Sequence, residues 1–597
     1  MKFSQLAQYI QKIEETSSRL IITEHLATLF KNLETTEIKI TTYLLQGRIA
    51  PLYEAVEFGM AEKMIKKAVC RGLNLDCKLF DTRYKKIGDL GKTVEEFKKE
   101  IKSLDEKDLS IYEVFESLYS VATASGAGSQ DLKINHLAHL VRNLDPLACR
   151  YLVRIPLGVM RLGFSDMTVL DALSWMINGN KSLRPIIEKA YHVRPDLGFI
   201  AELVKRQGVT NLKKVLPTVF TPILMMRAER LPSGKEIIEK IGKCAVESKY
   251  DGFRLQAHYS RKKQEVRLYS RNLENVTFMY PDLVDGIQKE VKANEIIIEG
   301  EAIGFDPDTA NFLPFQETVQ RKRKYGIEKM AKEVPLKLFC FELLYKDGKS
   351  FINSPYIERK KNLEKSLKLT GDAAKDMILI AEETITDDTK QLEILFEDAL
   401  SKGLEGIIAK KLDGIYQAGA RGWNWIKFKR SYSAKIEDTI DCLIMGYDFG
   451  KGKRAGFGIG AFLVGIFDES KDKFVTVAKI GTGLSDNEWR TLKTQSIKLK
   501  TPKKPNQYEV DKAMDCDVWL LPQTVVEIKA DEITRSPVHT AGRKLKPTKS
   551  GNAFEVDEPG FALRFPRLQR FRDDKRAEDI TSLKEVEKMF KAQFKHS

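Results

Sequence analysis

The stretch ESKYDGFR, Glu247–Arg254, lies between the apolar run KCAV (Lys243–Val246) and the strand-like LQAHY (Leu255–Tyr259). Asp251 and Gly252 mark a tight turn, so Lys249 is set between two β-like runs. A lysine so placed can serve as a nucleophile once its amine is neutral. The reference pKa of such an amine is roughly 10.4, so only about one in 10³ is neutral at pH 7 unless nearby cations, burial or a metal lower it. Taken alone, the four-residue pattern KxDG fits an exposed turn lysine equally well; what surrounds it has to decide.

Outward from this stretch the chain changes character twice. From Met1 to about Gly208 apolar residues recur at helical spacing, as in YEVFESLYSVA (Tyr112–Ala122) and VLDALSWMI (Val169–Ile177), which predicts an all-helical region. From about Thr218 short β-rich runs appear, among them EVRLYS (Glu265–Ser270), NEIIIEGEAIGF (Asn294–Phe305) and LKLFCFELLY (Leu336–Tyr345). They are mixed with helical segments such as TKQLEILFEDALSKG (Thr389–Gly403), as in an α+β domain. After about Ala434 the runs DCLIMGYDFG, GAFLVGIFD, KFVTVAKIGTG and QTVVEIKADEI, separated by Gly and charged turns, suggest a small β-barrel followed by a basic helical tail. The expected division is therefore 1–215, 216–434 and 435–597. A chain of 597 residues is too long for one hydrophobic core and agrees with several domains.

The formal net charge of +15 favours a polyanionic partner, because each phosphate neutralised by Lys or Arg releases condensed counterions. Seven cysteines, at 70, 77, 149, 244, 340, 442 and 516, include no CxxC pair, which argues against a zinc or redox motif; they read as free buried thiols of a reducing compartment. The opening MKFSQLAQYIQKIEETSSR breaks every apolar run with charge, so neither a signal peptide nor a membrane span is expected, and the chain reads as soluble and cytoplasmic. His136 and His139, three apart on a predicted helix, lack a third metal ligand in view.

Downstream of Lys249 come SRNLE with Arg271, IIIEGEAIGFD with Glu301, LFCFELLY with Phe341, LEGIIAK with Glu405 and Lys410, and WNWIKFKR with Lys427 and Lys429. In this order the set resembles the covalent nucleotidyltransferases, and specifically ATP-dependent DNA ligases of the archaeal and eukaryotic replicative type. Near the end, ALRFPRLQRFRDDKR (Ala562–Arg576) is similar to the family's last motif, which in relatives sits on a mobile oligonucleotide-binding (OB-fold) domain. TASGAGSQDLKINHLAHL (Thr123–Leu140) and IPLGVMRLGFSDMTVLDAL (Ile155–Leu173) are similar to the helical DNA-binding domain that precedes catalysis in these ligases and that capping enzymes lack.

The resemblance implies an all-α DNA-binding domain, an α+β nucleotidyltransferase (adenylation) domain and a β-barrel OB-fold domain. It makes Lys249 the acceptor of AMP and Glu247 an adenine contact; Arg254 and Arg271 hold ribose or phosphate, and Phe341 stacks on adenine. Glu301 and Glu405 bind Mg²⁺, for which Mn²⁺ can substitute. Lys427 and Lys429, two apart on a predicted strand, share a face and reach the α-phosphate, with Arg421 and Trp425 lining the same region. Arg572 and Lys575 orient the leaving pyrophosphate, the register among Arg567, Arg570 and Arg572 remaining open. The implied reaction uses ATP to seal 3′-hydroxyl/5′-phosphate nicks in duplex DNA during replication, repair and recombination, by a monomer near the nucleoid. A sliding clamp is an open partner, and use of ADP or GTP is left open.

Basic runs QRKRKYG (Gln320–Gly326) and GRKLKPTK (Gly542–Lys549) are candidates for tracking DNA phosphates, with SGAGSQ (Ser125–Gln130) and the turn Arg161–Gly163 favoured by the resemblance. An RNA ligase or guanylyltransferase shares KxDG and the carboxylates without the long helical region. An NAD-dependent ligase lacks support because its zinc module and nicotinamide-binding front domain are not found. A nick-binding protein with decayed chemistry is the non-enzymatic alternative.

Overall fold

A computed structural model describes residues 1–597 apart from 102–105, 307–310, 314, 324, 373–374, 402–403, 430–438, 451–457, 482–483, 537, 548–553, 565 and 594–597. It divides into two compact units, Met1–Phe428 and Lys429–Ser597. The expected boundary at 434/435 lies outside the described residues.

The first unit begins with a succession of helices from Phe3–Glu14 to Leu197–Gln207, sharing one apolar core. The helix Ile111–Thr123 shows why. Ile111, Val114, Leu118 and Val121 recur every three or four residues and are fully buried, while Ser110 and Glu113 close a capping box over the free N-terminal amides. Helices Glu62–Leu73 and Ser129–Asn143 approach so closely that a Cβ at Gly72 would lie 2.5 Å from the Ala138 carbonyl oxygen, which only glycine accommodates.

Cys70 lies in the last turn of the first of these helices, and Asn74, in the left-handed region at φ 51°, turns the chain back so that Cys77 opens the next. The two cysteines form a disulfide with Cα atoms 5.6 Å apart, which corrects the expectation that all seven thiols are free. Spacing of seven residues carries no hint of this, because the pairing depends on a helix reversal. Cys149, Cys244, Cys340 and Cys442 are the buried free thiols expected, and Cys516 is half-buried.

The rest of the first unit is built on two sheets. One is five-stranded, in the order Arg227–Arg230, Arg421–Lys429, Gly406–Lys411, Cys244–Lys249, Glu383–Thr386. The other is seven-stranded, with Glu265–Ser270, Phe253–Ser260, Glu295–Asp306 and Leu336–Lys346 adjacent in that order. The chain leaves the first sheet at Lys249 and enters the second at Phe253, so the turn Tyr250–Gly252 joins the two sheets. Tyr250, Ile303 and Phe339 from this side share a core with Val246, Ile407, Ile426 and Phe428 from the other.

In the second unit an eight-stranded sheet centres on Ile440–Asp448, which pairs with Val525–Lys529 through its first half and Val518–Leu520 through its second. The expected barrel appears as a half-barrel: among the described residues the ladder does not close, and it ends in the two-residue strands Lys500–Thr501 and Tyr508–Glu509. The terminal helix Leu583–Ala592 buries Val586 against this sheet's core. Among the described residues no helix is long and apolar enough to cross a membrane.

Candidate active site

Lys249 ends its strand with a side chain only 20% exposed, and its Nζ lies 2.6 Å from the Glu405 carboxylate. Glu405 comes just before the strand Gly406–Lys411, which pairs antiparallel to the Lys249 strand; its backbone N–H donates to the Lys249 carbonyl. Gly252 is required by a close approach: a Cβ there would meet the Ala302 carbonyl oxygen at 2.2 Å. The glycine of KxDG therefore lets the turn lie against the strand that carries Glu301.

Glu301 is opposite Arg254 in the ladder. Burial, reinforced by the like charge of Glu405 and only partly offset by Lys249 and Arg254, pushes the Glu301 carboxyl up to about 7. Arg254 is held by Glu299 at 2.7 Å and by the Met226 carbonyl at 2.7 Å. Burial works against its charge, but Glu299 outweighs it and keeps the guanidinium firmly protonated.

Glu247 is 3% exposed and nevertheless charged. Burial alone would raise its carboxyl, yet Lys410 at 2.6 Å and Lys360 at 3.0 Å hold it below the usual range, and Tyr356 donates to it at 2.7 Å. Lys410 in turn donates to the Phe341 carbonyl oxygen at 2.9 Å, tying Glu247 to the aromatic strand. The Phe341 ring meets Trp425 edge-on at 6.0 Å.

These groups surround a cavity of about 460 Å³ lined by Glu247, Lys249, Arg254, Arg271, Glu301, Phe341, Glu405, Arg421, Trp425 and Lys427. Sequence reading had singled out every one of them. Lys429 is not in the lining, although it follows Lys427 by two on the same strand. Arg227, Lys322, Ile408 and Lys410 also line the cavity, and Lys360 and Tyr356 support it from behind. Of these, Lys410 stood in a quoted motif without a role; the helix Tyr356–Lys365 carried no signal at all.

Arg572 and Lys575 belong to the second unit, where both grip Asp441, at 3.0 and 2.6 Å, and line a separate cavity of about 410 Å³. Arg570 faces Glu527 at 2.6 Å and Arg567 pairs with Asp531. Of the candidate phosphate contacts, Gly126 and Gly128 take left-handed φ of 86° and 81° before the helix Ser129–Asn143, uncrowded by any neighbour. Arg161, at φ 59°, pairs with Asp89 at 2.6 Å.

Arg321 departs from expectation. It is 1% exposed and clasped by Asp282 at 2.7 Å, so it is a structural arginine and not a phosphate contact. Lys544 and Lys546 are exposed but paired across a hairpin with Glu558 and Asp557. Lys324, Thr548 and Lys549 of the two basic runs lie outside the described residues. His139 contacts Asn143, and no group of three or more His, Cys, Asp or Glu able to hold a metal occurs among the described residues.

The chain matches three family models: the DNA ligase N terminus over residues 2–174, the ATP dependent DNA ligase domain over 225–429 and the ATP dependent DNA ligase C terminal region over 455–575. It is 46% identical over 596 residues to a probable DNA ligase of Dictyoglomus thermophilum, covering 100% of this chain and 98% of that one. It is 39% identical over 604 residues to a DNA ligase of Sulfurisphaera tokodaii, covering 99% and 98%. Among solved structures, Pmar-Lig_PreS3 shares the fold with a TM-score of 0.52 at 17% identity, over 95% of this chain and 99% of that one.

Proposed function

Because the chain belongs to the ATP-dependent DNA ligase family, we propose that the cavity around Lys249 is where it takes AMP from ATP before sealing a 3′-hydroxyl/5′-phosphate nick in duplex DNA. The observation that carries this reading is the 2.6 Å pair of Lys249 with Glu405, inside a cavity that also holds Glu301 and the Glu247–Lys410–Phe341 linkage.

In this reading the Lys249 ammonium gives up its proton to water, and the freed amine attacks the α-phosphorus in line. A P–N bond forms, the P–O bond to pyrophosphate breaks, and a lysyl phosphoramidate of AMP results. Glu247 and Phe341 hold the adenine, Arg254, Arg271 and Arg421 the ribose and phosphates, and Lys427 with Lys429 the α-phosphate. Arg572 and Lys575 of the second unit orient the pyrophosphate. AMP then passes to the 5′-phosphate of the nick, and attack by the 3′-hydroxyl expels it.

Glu301 and Glu405 present two hard oxygen donors in the cavity lining, which fits a Mg²⁺ or Mn²⁺ ion that completes its coordination with phosphate oxygens and water. Such an ion would neutralise charge on the transferring phosphoryl group.

The same reading divides the chain into a DNA-binding domain (1–215), an adenylation domain (216–434) and an OB-fold domain (435–597) whose half-barrel belongs to a closed barrel. It assigns the enzyme to DNA replication, repair and recombination, as a cytoplasmic, nucleoid-associated monomer, with a sliding clamp as a candidate partner. The RNA-ligase, guanylyltransferase and inactive nick-binder alternatives are not favoured, since family similarity extends through the helical N-terminal region.

The test is incubation with Mg²⁺ and ATP labelled at the α-phosphate, followed by denaturation. Label on the wild-type polypeptide, absent from Lys249→Ala and chased onto nicked DNA, is the expected result. Label that persists in Lys249→Ala would refute the assignment.

A further inference from the structure

The strand Ile440–Asp448 of the second unit is buried along almost its whole length, and Asp441 is the single charged residue in its run Ile440–Tyr447. A carboxylate 9% exposed beside fully buried Ile440 and Cys442 is costly to keep unless it is paired, and an apolar residue would serve the sheet better. Both of its oxygens are taken by one short segment far along the chain. Oδ1 accepts from Arg572 Nη1 at 3.0 Å, and Oδ2 accepts from the same nitrogen at 3.3 Å and from Lys575 Nζ at 2.6 Å. Sharing one oxygen, the two cationic nitrogens are held side by side.

Arg572 and Lys575 line the cavity of about 410 Å³ described above, whereas Asp441 is not in its lining, so the carboxylate holds them from behind the wall they form. Lys498 joins them there, and against Asp573 as the one carboxylate the lining is net positive. The rest of Arg572 is fixed as well: Nε and Nη2 each donate to Asp574 at 2.8 Å, and its backbone N–H donates to the Val525 carbonyl at 2.9 Å. Two like charges placed this close repel one another, and the Asp441 carboxylate between them is what keeps them together. An ammonium has three N–H donors and a guanidinium five, more than these carboxylates occupy, so both cations can bind a further anion without letting go of Asp441.

We propose that Asp441 is a positioning residue of the adenylation step, holding Arg572 and Lys575 side by side so that both meet the pyrophosphate as it leaves. When the P–O bond breaks, its electron pair goes to the pyrophosphate, and two cations already fixed in place neutralise the growing charge without having to reorganise. The inference rests on the reading in which Arg572 and Lys575 orient that group. It adds that their arrangement is made inside the second unit, by a residue 131 and 134 positions earlier in the chain. Sealing of a nick that already carries AMP releases no pyrophosphate and so does not need Asp441. Asp441→Asn keeps the shape and one acceptor oxygen, but deletes the charge and sets an amide N–H₂ against a cation.

The experiment follows two reactions of the full-length protein: labelling of the polypeptide by α-labelled ATP, and sealing, without ATP, of a nick whose 5′-phosphate already carries AMP. Wild type is compared with Asp441→Asn, with the double variant Arg572→Ala, Lys575→Ala, and with all three substitutions together. Asp441→Asn should lower kcat for labelling by about 10- to 100-fold, the scale of misplacing a group by about 1 Å, and leave sealing of the adenylated nick essentially unchanged. Release of AMP from the labelled protein by added pyrophosphate should slow by a similar factor, because both directions cross one transition state. Added to the double variant, Asp441→Asn should have little further effect, since the groups it acts through are gone. An Asp441→Asn protein that labels as wild type does, while the double variant is impaired, overturns the inference alone. So does a full further loss in the triple variant, or equal loss of labelling and of sealing, because Asp441 then supports the fold and not the step. A double variant that labels as wild type does overturns the pyrophosphate reading beneath it.

Discussion

The helical region and the two-sheet region of the first unit are cores of different kinds. The helical core is an apolar cluster from Phe3 to Leu212 that encloses a few dispersed ionic groups, among them Arg154 at 2% exposed, bound to Asp89 at 5%, with Lys98 at 1% and Asp196 at 5%. Between the sheets, by contrast, Glu247, Glu299, Glu342, Arg359, Lys360 and Lys410 are each at most 5% exposed and paired with one another or with Arg254 and Tyr416. Burying ions is expensive even when they are paired, and an apolar substitute often stabilises as well or better. The sheets therefore carry charge for placement: fixed carboxylates and ammonium groups orient the walls of a cavity, a task an oily core cannot perform. In the helical region the buried ions tie helices to one another instead: Arg154 reaches both Asp89 and Glu14, and Tyr43 donates to Asp196.

The largest effect that would test this contrast is Lys249→Ala, expected to lower self-adenylation by at least about 10³-fold in the labelling assay while leaving binding to nicked DNA, measured by gel shift, largely intact. Equal loss of both activities would mean the two regions do not divide the work.

Next is a pair of destabilisations read by denaturant unfolding. Glu247→Ala strands Lys410 and Lys360 and should cost about 3–5 kcal/mol. Leu118→Ala, in the helical core, should cost about 2–5 kcal/mol through its cavity. The discriminating readout is Glu247→Gln, a near-isostere: if it is as stable as wild type, the charged network is not what holds Glu247.

The pH response should be sharper in the sheets. With its carboxyl at about 7 instead of the ordinary 4.5, Glu301 keeps its proton more tightly in the fold than in the unfolded chain. Stability from this group is thus fully present below pH 4.5 and declines as pH rises from 4.5 to about 7. Its anionic form, which a metal ion requires, grows over the same approach to neutrality. Adenylation at limiting Mg²⁺ should rise through pH 7, and Glu301→Gln should be largely inactive across the range; an unaltered profile in that variant would remove Glu301 from the reaction.

The smallest effect belongs to the helical region. Arg161→Ala should weaken nicked-DNA binding and reduce the slope of log affinity against log salt by about 1, without altering adenylation.

Much of this was readable from the chain in one dimension. Helices such as Ile111–Thr123 follow from a 3.6-residue apolar period and strands such as Leu336–Lys346 from a continuous apolar, β-prone run, both local properties of the chain. The motif residues from Glu247 to Lys427 could be named because each stands in a short stretch whose order along the chain is itself informative. The buried Arg321 shows the limit of such reading: in QRKRKYG it looks like any surface cation, and only the approach of Asp282, 39 residues away, makes it internal.

Sequence alone therefore determined the types of element, their order and the reactive groups they carry. Tertiary structure decided how those groups are partnered. Lys360 reaches Glu247 across 113 residues, Gly252 is needed because Ala302 crosses its turn, Cys70 meets Cys77 through a helix reversal, and Trp425 is left with an unanswered N–H. The physical reason is that burial and desolvation, which set the charge state of a carboxylate or the need of a donor for an acceptor, are properties of the packed sheets and are absent from any local stretch of chain.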